Sequence, residues 1–175
     1  MRLIGNGELM EQTDRLVTQC GLEDCVQLTG SMTPDRVREY MEKSEIFLFT
    51  SDRNEGWGAV ANEAMNSGCA VVASHSIGSV PFLIEHGHNG YIYRNGDTDE
   101  AYAYVKRLLD EGDERERIGR EAYATIATEW NADVAAYKLL ALCEPMLAGQ
   151  RAIPYEGGVC SRAERLRDNW LDRRI

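Results

Sequence analysis

The sequence has few positive charges and no long apolar run. It carries 29 acidic residues against 19 lysines and arginines, a formal net charge of −10. No stretch approaches the roughly 20 apolar residues that a membrane-spanning helix needs, and the first ten residues lack the apolar core of a signal peptide. We therefore expect no attraction to nucleic acid or to an anionic membrane through a general positive field, so any phosphate must be bound by local groups.

Metal-ligand spacing is also missing. Five cysteines are present, an odd number, and their positions match no zinc pattern. The histidines likewise lack the spacing and the neighbouring carboxylates of a metal site. His75 follows a predicted strand, and it could either face a cleft or lie on the surface. We predict no metal, and the reduced cytoplasm is the expected compartment.

Short apolar runs alternate with helical patterns. They predict five strands, at residues 2–4, 26–28, 46–49, 70–73 and 91–93. Thr33 and Pro34 predict the N-cap and first residue of a helix, and apolar spacing predicts further helices at residues 99–111, 114–129 and 131–147. This alternation indicates an α/β fold with a doubly wound parallel sheet. The loops that follow the strands are expected to meet at one edge.

The most informative stretch reads EGWGAVANEA and starts at Glu55, just after the third predicted strand. It separates Glu55 from Glu63 by eight positions, which in a continuous helix would rotate them about 80° apart. Glu55 is therefore expected in the loop and Glu63 in the helix. The amides of Gly58, Ala59 and Val60, at the helix start, are expected to attract phosphate.

With a diphosphate at that helix start, one motif could serve three parts of a nucleotide sugar. Glu63 could accept hydrogen bonds from both ribose hydroxyls, and Glu55 could reach the sugar beyond the phosphates. The competing interpretation is a pair of solvated carboxylates stabilised by the helix dipole. Glycines on both sides of Trp57 argue for the ligand site.

This stretch resembles the donor-binding domain of the group 1 (family 4) retaining glycosyltransferases of the GT-B fold, whose signature is a Glu-x7-Glu pair around an EGFG-like turn. The resemblance extends over residues 1–148. It includes the loop Gly5, Asn6 and Gly7 after the first strand, the second strand ending in Gly30, Gly68 before the fourth strand, and the turn at residues 89–90.

The resemblance implies a Rossmann-like domain, the C-terminal half of a GT-B enzyme. Its implied catalytic residue is Glu55, which would orient the donor sugar. Ser31 and Met32 could present backbone groups to a nucleobase, or they could form an ordinary loop. The implied donor-binding residues are Glu63, Gly56, Trp57, Gly58, Ala59, Val60, Gly5, Asn6, Gly7, Ser31 and Met32.

Four positions depart from the family pattern. Trp57 stands where the turn usually has phenylalanine, and Ala70 replaces a proline. In the loop after the fourth strand, Ser79 replaces the second of two glycines and Phe82 replaces a glutamate. We therefore assign no donor contact to that loop.

The family's donor domain usually opens with another strand and helix carrying a basic pair, and its enzymes have an amino-terminal acceptor domain. Neither is recognised in this sequence, so we expect half an enzyme, with weak donor affinity and no activity alone. Residues 1–148 are expected to form the nucleotide-sugar-binding domain. Residues 149–175 are expected to form a linker and a C-terminal helix near residues 161–170, with Ala163, Leu166 and Trp170 along one side.

The implied reaction transfers a sugar from a UDP-, GDP- or ADP-sugar to an acceptor hydroxyl, with retention, in glycan or glycolipid synthesis. No cofactor is expected. The expected partners are the nucleotide sugar and either the missing amino-terminal domain or a separate acceptor-binding chain. Any peripheral membrane association is expected to occur only through that missing domain or chain. Two other classes stay open: a non-catalytic nucleotide-sugar-binding or partner-docking subunit, and a GT-B-type nucleotide-sugar epimerase, whose acid and base residues the sequence does not identify.

Overall fold

The fold is known from a computed structural model, which describes residues 1–162, 165–167 and 169–173. The chain forms two compact units, Met1–Tyr40 and Met41–Ile175. Each unit contains parallel β-structure, and each is described by itself below.

The first unit holds strands β1 and β2 and helix α1, and it ends within helix α2. Leu3 of β1 pairs with Leu28 of β2 in parallel. Thr33 accepts a hydrogen bond from the Val37 amide at 3.0 Å, and Pro34 is the first residue of α2, as predicted. Helix α1, which the sequence analysis did not predict, buries Val17. The bounds are β1 Arg2–Ile4, α1 Met10–Gln19, β2 Gln27–Gly30 and α2 Pro34–Glu42.

The second unit is built on a three-stranded parallel sheet in the order β3-β4-β5. Every residue of the central strand β4 is buried. Side chains of β4 and β5 pack with Leu108 of α5 and Ile118 of α6 to form the core. The bounds are β3 Ile46–Phe49, α3 Val60–Asn66, β4 Ala70–Ser74, α4 Val80–Leu83, β5 Tyr91–Tyr93, α5 Thr98–Asp110, α6 Gly112–Thr128 and α7 Ala132–Leu147.

The predicted α/β class is confirmed, and every predicted strand is present within two residues of its expected ends. The strands are parallel, as predicted, and they pair as a two-stranded sheet, β1-β2, and a three-stranded sheet, β3-β4-β5. Apolar runs identify buried strands, but they do not say which strands become hydrogen-bonded neighbours. The predicted helix break at Gly112 lies one residue earlier, at Glu111, and Gly112 begins α6.

The C-terminal segment differs from the predicted helix. In its described part, Ser161 bridges to Tyr155, and a single 3-10 turn covers Leu171–Arg173. None of the described residues between 161 and 170 is helical, and Ala163 lies outside the described residues. Trp170 and Leu171 are adjacent in sequence and both buried, so the segment does not present the single helical stripe that Leu166 and Trp170 had suggested.

His86 packs beside strand β5 within an aromatic cluster. Its ring meets Tyr91 and Tyr104 edge-on, at centroid distances of 5.4 and 5.1 Å, while those two rings stack on each other at 4.7 Å. The Ile92 amide donates a hydrogen bond to His86 Nδ1 at 3.1 Å. Burial lowers the pKa of His86, and the nearby Glu100 carboxylate only partly offsets this effect.

A lowered histidine pKa predicts loss of stability in acid. The unfolded chain then binds the proton more tightly than the folded protein, so this stabilisation is fully present above about pH 6.5 and is lost as the pH falls below it. One proton can contribute at most about 1.4 kcal/mol per pH unit. Urea unfolding at pH 5 and pH 7.5 should show a smaller pH difference for His86→Gln than for the wild type. The exposed His88→Gln is the control. Equal pH slopes in all three proteins would contradict the prediction.

Candidate functional site

The Gly-Trp-Gly turn lies between β3 and α3, at the carboxyl end of the strand. Asp52 shapes its approach: its carboxylate accepts a hydrogen bond from the Asn54 amide at 2.8 Å, and its carbonyl accepts one from the Glu55 amide at 3.0 Å. Gly58 has φ +76°, and a Cβ there would lie 2.9 Å from Ile77 Cγ2 and 3.0 Å from the Phe49 ring. Glycine is therefore required by both backbone conformation and space.

The two glutamates lie on either side of this turn. Glu55 is half-buried in the loop, while Glu63 is exposed in the first turn of α3, so only Glu63 is helical, as predicted. Neither carboxylate forms a hydrogen bond or ion pair with another residue in the described part of the chain. Both are available to accept hydrogen bonds from a ligand.

The start of α3 offers backbone donors. Gly58 and Ala59 accept hydrogen bonds through their carbonyls, from the amides of Ala61 at 2.9 Å and Glu63 at 3.2 Å. Their own amides, and that of Val60, donate to no group among the residues that the structure describes. These three amides are the ones for which the sequence predicted phosphate binding.

A second loop, at residues 75–79, holds the turn in place. The Ser79 amide donates to the Trp57 carbonyl at 2.9 Å. At Gly78 the backbones approach so closely that a Cβ would lie 2.0 Å from the Gly56 carbonyl oxygen. Ser79 is buried, and its hydroxyl has no hydrogen-bond partner within the described residues. The loop to which no donor contact was assigned is thus the support of the turn.

Trp57 and Phe82, two of the departures from the family pattern, contact each other. Their rings stack at 5.9 Å and 21°, and Trp130 packs against Trp57 at 5.6 Å. Trp57 Nε1 donates to Asn62 Oδ1 at 2.9 Å, which fixes the indole over α3. Trp57 is 42% exposed and Phe82 37% exposed. Sequence reasoning missed this cluster because its members come from three separate segments.

Polar groups at the carboxyl ends of β4 and β5 bind one another. His75 Nδ1 accepts a hydrogen bond from the Asn95 amide at 2.9 Å, and the Ser74 hydroxyl donates to Asn95 Oδ1 at 3.2 Å. His75 is half-buried and also contacts the Trp170 ring at 6.3 Å. Its observed role is structural.

A cavity of about 610 Å³ opens near these strand ends, between β3, β5 and the start of α5. Thr50, Tyr93 and Tyr102 contribute to its walls, but Glu55 and Glu63 do not. The predicted donor residues in this unit therefore lie on a surface outside that cavity.

The predicted donor residues of the first unit lie in two adjacent loops. Gly5, Asn6 and Gly7 are exposed after β1, and the Gly5 amide donates to the Gly30 carbonyl at 2.9 Å. Ser31 is exposed and Met32 is half-buried between β2 and α2. The approach of these loops to the turn at residues 55–58 stays a prediction.

No cluster of metal-ligating side chains occurs among the described residues. We expected no Asp-x-Asp motif that could hold a metal, and that expectation was wrong, because Asp97 and Asp99 form such a pair at the start of α5. Asp97 is the N-cap of that helix, and its carboxylate accepts a hydrogen bond from the Glu100 amide at 2.9 Å. Capping is a sufficient reason for an aspartate at this position.

Comparison with known proteins gives concordant matches. The family model described as glycosyl transferases group 1 matches residues 1–125. The amylovoran biosynthesis glycosyltransferase AmsK of Erwinia amylovora is 31% identical over 147 residues, which cover 81% of this chain and 36% of that protein.

Two solved structures show the same fold. The C-terminal domain of a group 1 family glycosyl transferase, LpcC, from Francisella tularensis has a TM-score of 0.66 at 24% identity, covering 71% of this chain and 64% of that one. HepE of Anabaena, solved with UDP-glucose, has a TM-score of 0.63 at 26% identity, covering 72% and 35%. This chain spans about a third of the length of the curated relatives it matches.

Proposed function

The chain belongs to the group 1 glycosyl transferases, and we propose that it is the donor-binding half of a retaining enzyme that transfers a sugar from a nucleoside diphosphate. The observation that carries this proposal is the turn after β3. It combines two carboxylates and three backbone amides that are left unbonded by the rest of the described chain. The turn and the helix start thus supply both hydrogen-bond acceptors and donors, which a ligand with hydroxyls and phosphates requires.

Each group has a role suited to its chemistry. The amides of Gly58, Ala59 and Val60 would bind the diphosphate, because unpaired helix-start amides favour negative charge. Glu63, one turn further along, would accept hydrogen bonds from the ribose hydroxyls, and Glu55 would orient the donor sugar. Gly5, Asn6, Gly7, Ser31 and Met32, in the first unit, are also proposed as donor-binding residues.

Catalysis would then be positional and electrostatic. As the bond to the sugar breaks, the diphosphate leaving group gains negative charge. Amides that already point at that charge stabilise the transition state more than the ground state. Glu55 would hold the sugar hydroxyls so that the anomeric carbon faces the acceptor.

Calorimetric titration of the purified chain against UDP, GDP, ADP and their sugar conjugates tests the donor assignment. UDP compounds come first, because the similar HepE is solved with UDP-glucose. We expect one base series to bind weakly and adenosine or uridine without phosphates not to bind. Failure of every diphosphate to bind would count against a complete donor site on this chain.

The reacting acceptor hydroxyl would be held by a second domain or chain, and helix α7 offers a suitable docking face for that partner. None of its 16 residues is buried. Tyr137, Leu140 and Leu147 follow each other at helical spacing and are 72%, 66% and 88% exposed. Lys138 lies on another side, where its ammonium packs over the Tyr155 ring at 4.8 Å. An apolar helical stripe left open in this way is typical of a surface that a partner covers.

Charge substitution on α7 separates docking from folding. The double variant Leu140→Lys, Leu147→Lys should leave the free energy of unfolding within about 0.5 kcal/mol of the wild type, since both side chains are exposed. It should nevertheless lose co-purification with a separately expressed amino-terminal GT-B domain that the wild type retains. Buried Leu108→Lys is the control that should unfold the chain. Retained co-purification would exclude α7 as the docking face.

A cytoplasmic location is part of the proposal, because all five cysteines are free thiols and nucleotide sugars are the proposed substrates. Within the described residues, no helix is long and apolar enough to cross a membrane.

A further inference from the structure

A second cavity, here called the tail cavity, lies between α4, the end of α6 and the C-terminal segment. Its volume is about 460 Å³, within the range of small-molecule sites. Phe82, Trp130 and Trp170 contribute rings to its walls, and Glu85 and Glu129 contribute carboxylates. Neither proposed donor glutamate lines it.

The aromatic walls of the tail cavity are held in place. Phe82 and Trp130 both pack against Trp57, whose indole nitrogen is itself hydrogen-bonded. Trp170 is only 8% exposed. Next to it, Asp172 forms an ion pair with Arg94 at 2.9 Å, which fastens the C-terminal segment to the body of the second unit. A ligand would therefore meet rings that are already ordered, which lowers the entropic cost of binding.

The charged side chains of the tail cavity are carboxylates, which disfavour an anionic ligand. Glu85 and Glu129 are exposed and form no ion pair with another described residue, and none of the described wall residues is a lysine or arginine. Asn89 is already occupied: its amide group donates to the Leu83 carbonyl and the Thr125 hydroxyl, and its oxygen accepts from the Glu85 amide. Two histidines, His86 and His88, also line the cavity, and His86 Nδ1 already accepts a hydrogen bond from the Ile92 amide. The two carboxylates therefore offer hydrogen-bond acceptors beside the aromatic rings.

We propose that the tail cavity is a second carbohydrate subsite, which binds a neutral sugar ring of the acceptor glycan. Phe82 and Trp130 would contact the apolar face of the ring, and Glu85 and Glu129 would accept hydrogen bonds from its hydroxyls. The volume suits a ring better than a single ammonium group, the other ligand that rings and carboxylates attract. This inference rests on the proposed function, because it supplies that enzyme with a place for the growing glycan.

The test is saturation-transfer NMR and calorimetry on the full chain, with neutral mono- to trisaccharides, glucuronic acid and choline as probes. Wild-type protein should bind a neutral saccharide in preference to glucuronic acid and choline. Glu129→Gln should weaken that binding about tenfold, since it removes a charged acceptor, and Phe82→Leu should weaken it as well. The exposed Glu42→Gln is the matched control and should have no effect.

Glu63→Ala separates this inference from the proposed function. Saccharide binding that survives Glu63→Ala but falls in Glu129→Gln supports the subsite, even if no nucleotide binds. The inference is overturned if no neutral saccharide binds or if choline binds in its place. It is also overturned if saccharide binding is lost in Glu63→Ala but retained in Glu129→Gln. A nucleotide titration that fails while saccharides bind would count against the donor assignment alone.

Discussion

Glu63→Ala is expected to reduce nucleoside diphosphate binding by more than about a hundredfold. Hydrogen bonds to a charged group contribute roughly 1.5–3 kcal/mol each, and this carboxylate is proposed to accept two from ribose. Glu63 is exposed, and its carboxylate forms no hydrogen bond or ion pair with other described residues. Its removal should therefore change binding without changing the fold, and titration of both proteins with the base series that binds the wild type measures the effect.

Comparing a ribonucleotide with its 2′-deoxy analogue tests the ribose assignment more directly. Wild-type protein should bind the 2′-deoxy nucleotide more weakly than the ribonucleotide, whereas Glu63→Ala should bind both equally, because the discriminating acceptor is gone. Glu42→Ala removes a comparable exposed charge elsewhere and should retain the preference. If Glu63→Ala still prefers the ribonucleotide, the carboxylate does not bind the ribose.

Gly78→Ala should destabilise the second unit by about 3 kcal/mol, at the upper end of the usual overpacking range. The added methyl group would lie 2.0 Å from the Gly56 carbonyl oxygen, a backbone atom that cannot move aside as a flexible side chain could. The loop at residues 75–79 must then separate from the turn, which breaks the hydrogen bond from the Ser79 amide to the Trp57 carbonyl. Urea unfolding measures the loss, and the amide resonances of the turn should shift.

Gly56→Ala is the matched control for this prediction. Gly56 belongs to the same turn, but no atom lies within 4 Å of the place where its Cβ would be, and its φ is outside the left-handed region. The free energy of unfolding of the Gly56→Ala variant should stay within about 0.5 kcal/mol of that of the wild type. If the two variants were equally stable, the close approach of the two loops would be wrong.

The residues of the turn show how far local pattern reaches. Glycines around Trp57 and the eight-position spacing of the glutamates were sufficient to place Glu55 in the loop and Glu63 in the helix. The same local logic predicted β3 with its observed bounds and the start of α2 at Pro34. It overlooked α1, which has only three apolar residues: Val17 is buried, Met10 is half-buried and Leu16 is exposed.

The sequence did not indicate that residues departing from the family pattern contact one another, because each departure was interpreted separately. Trp57 and Phe82 look like separate substitutions along the chain, yet the structure stacks their rings and adds Trp130. Ser79 looks like a lost glycine, yet its amide supports the turn. Phe82 then also forms a wall of the tail cavity, a role that no local pattern indicates.

By itself the sequence determined the family, the α/β class, the strands and the positions of Glu55 and Glu63 around the turn after β3. These depend on period, turn-forming residues and short spacings, which are set by backbone geometry within a few residues of each other. Tertiary structure alone decided which strands pair, that Gly78 meets Gly56, that Trp170 closes a cavity and that α7 stays uncovered. Those features arise where packing brings together residues that are distant in the chain. The spacing of residues within one segment does not indicate such contacts.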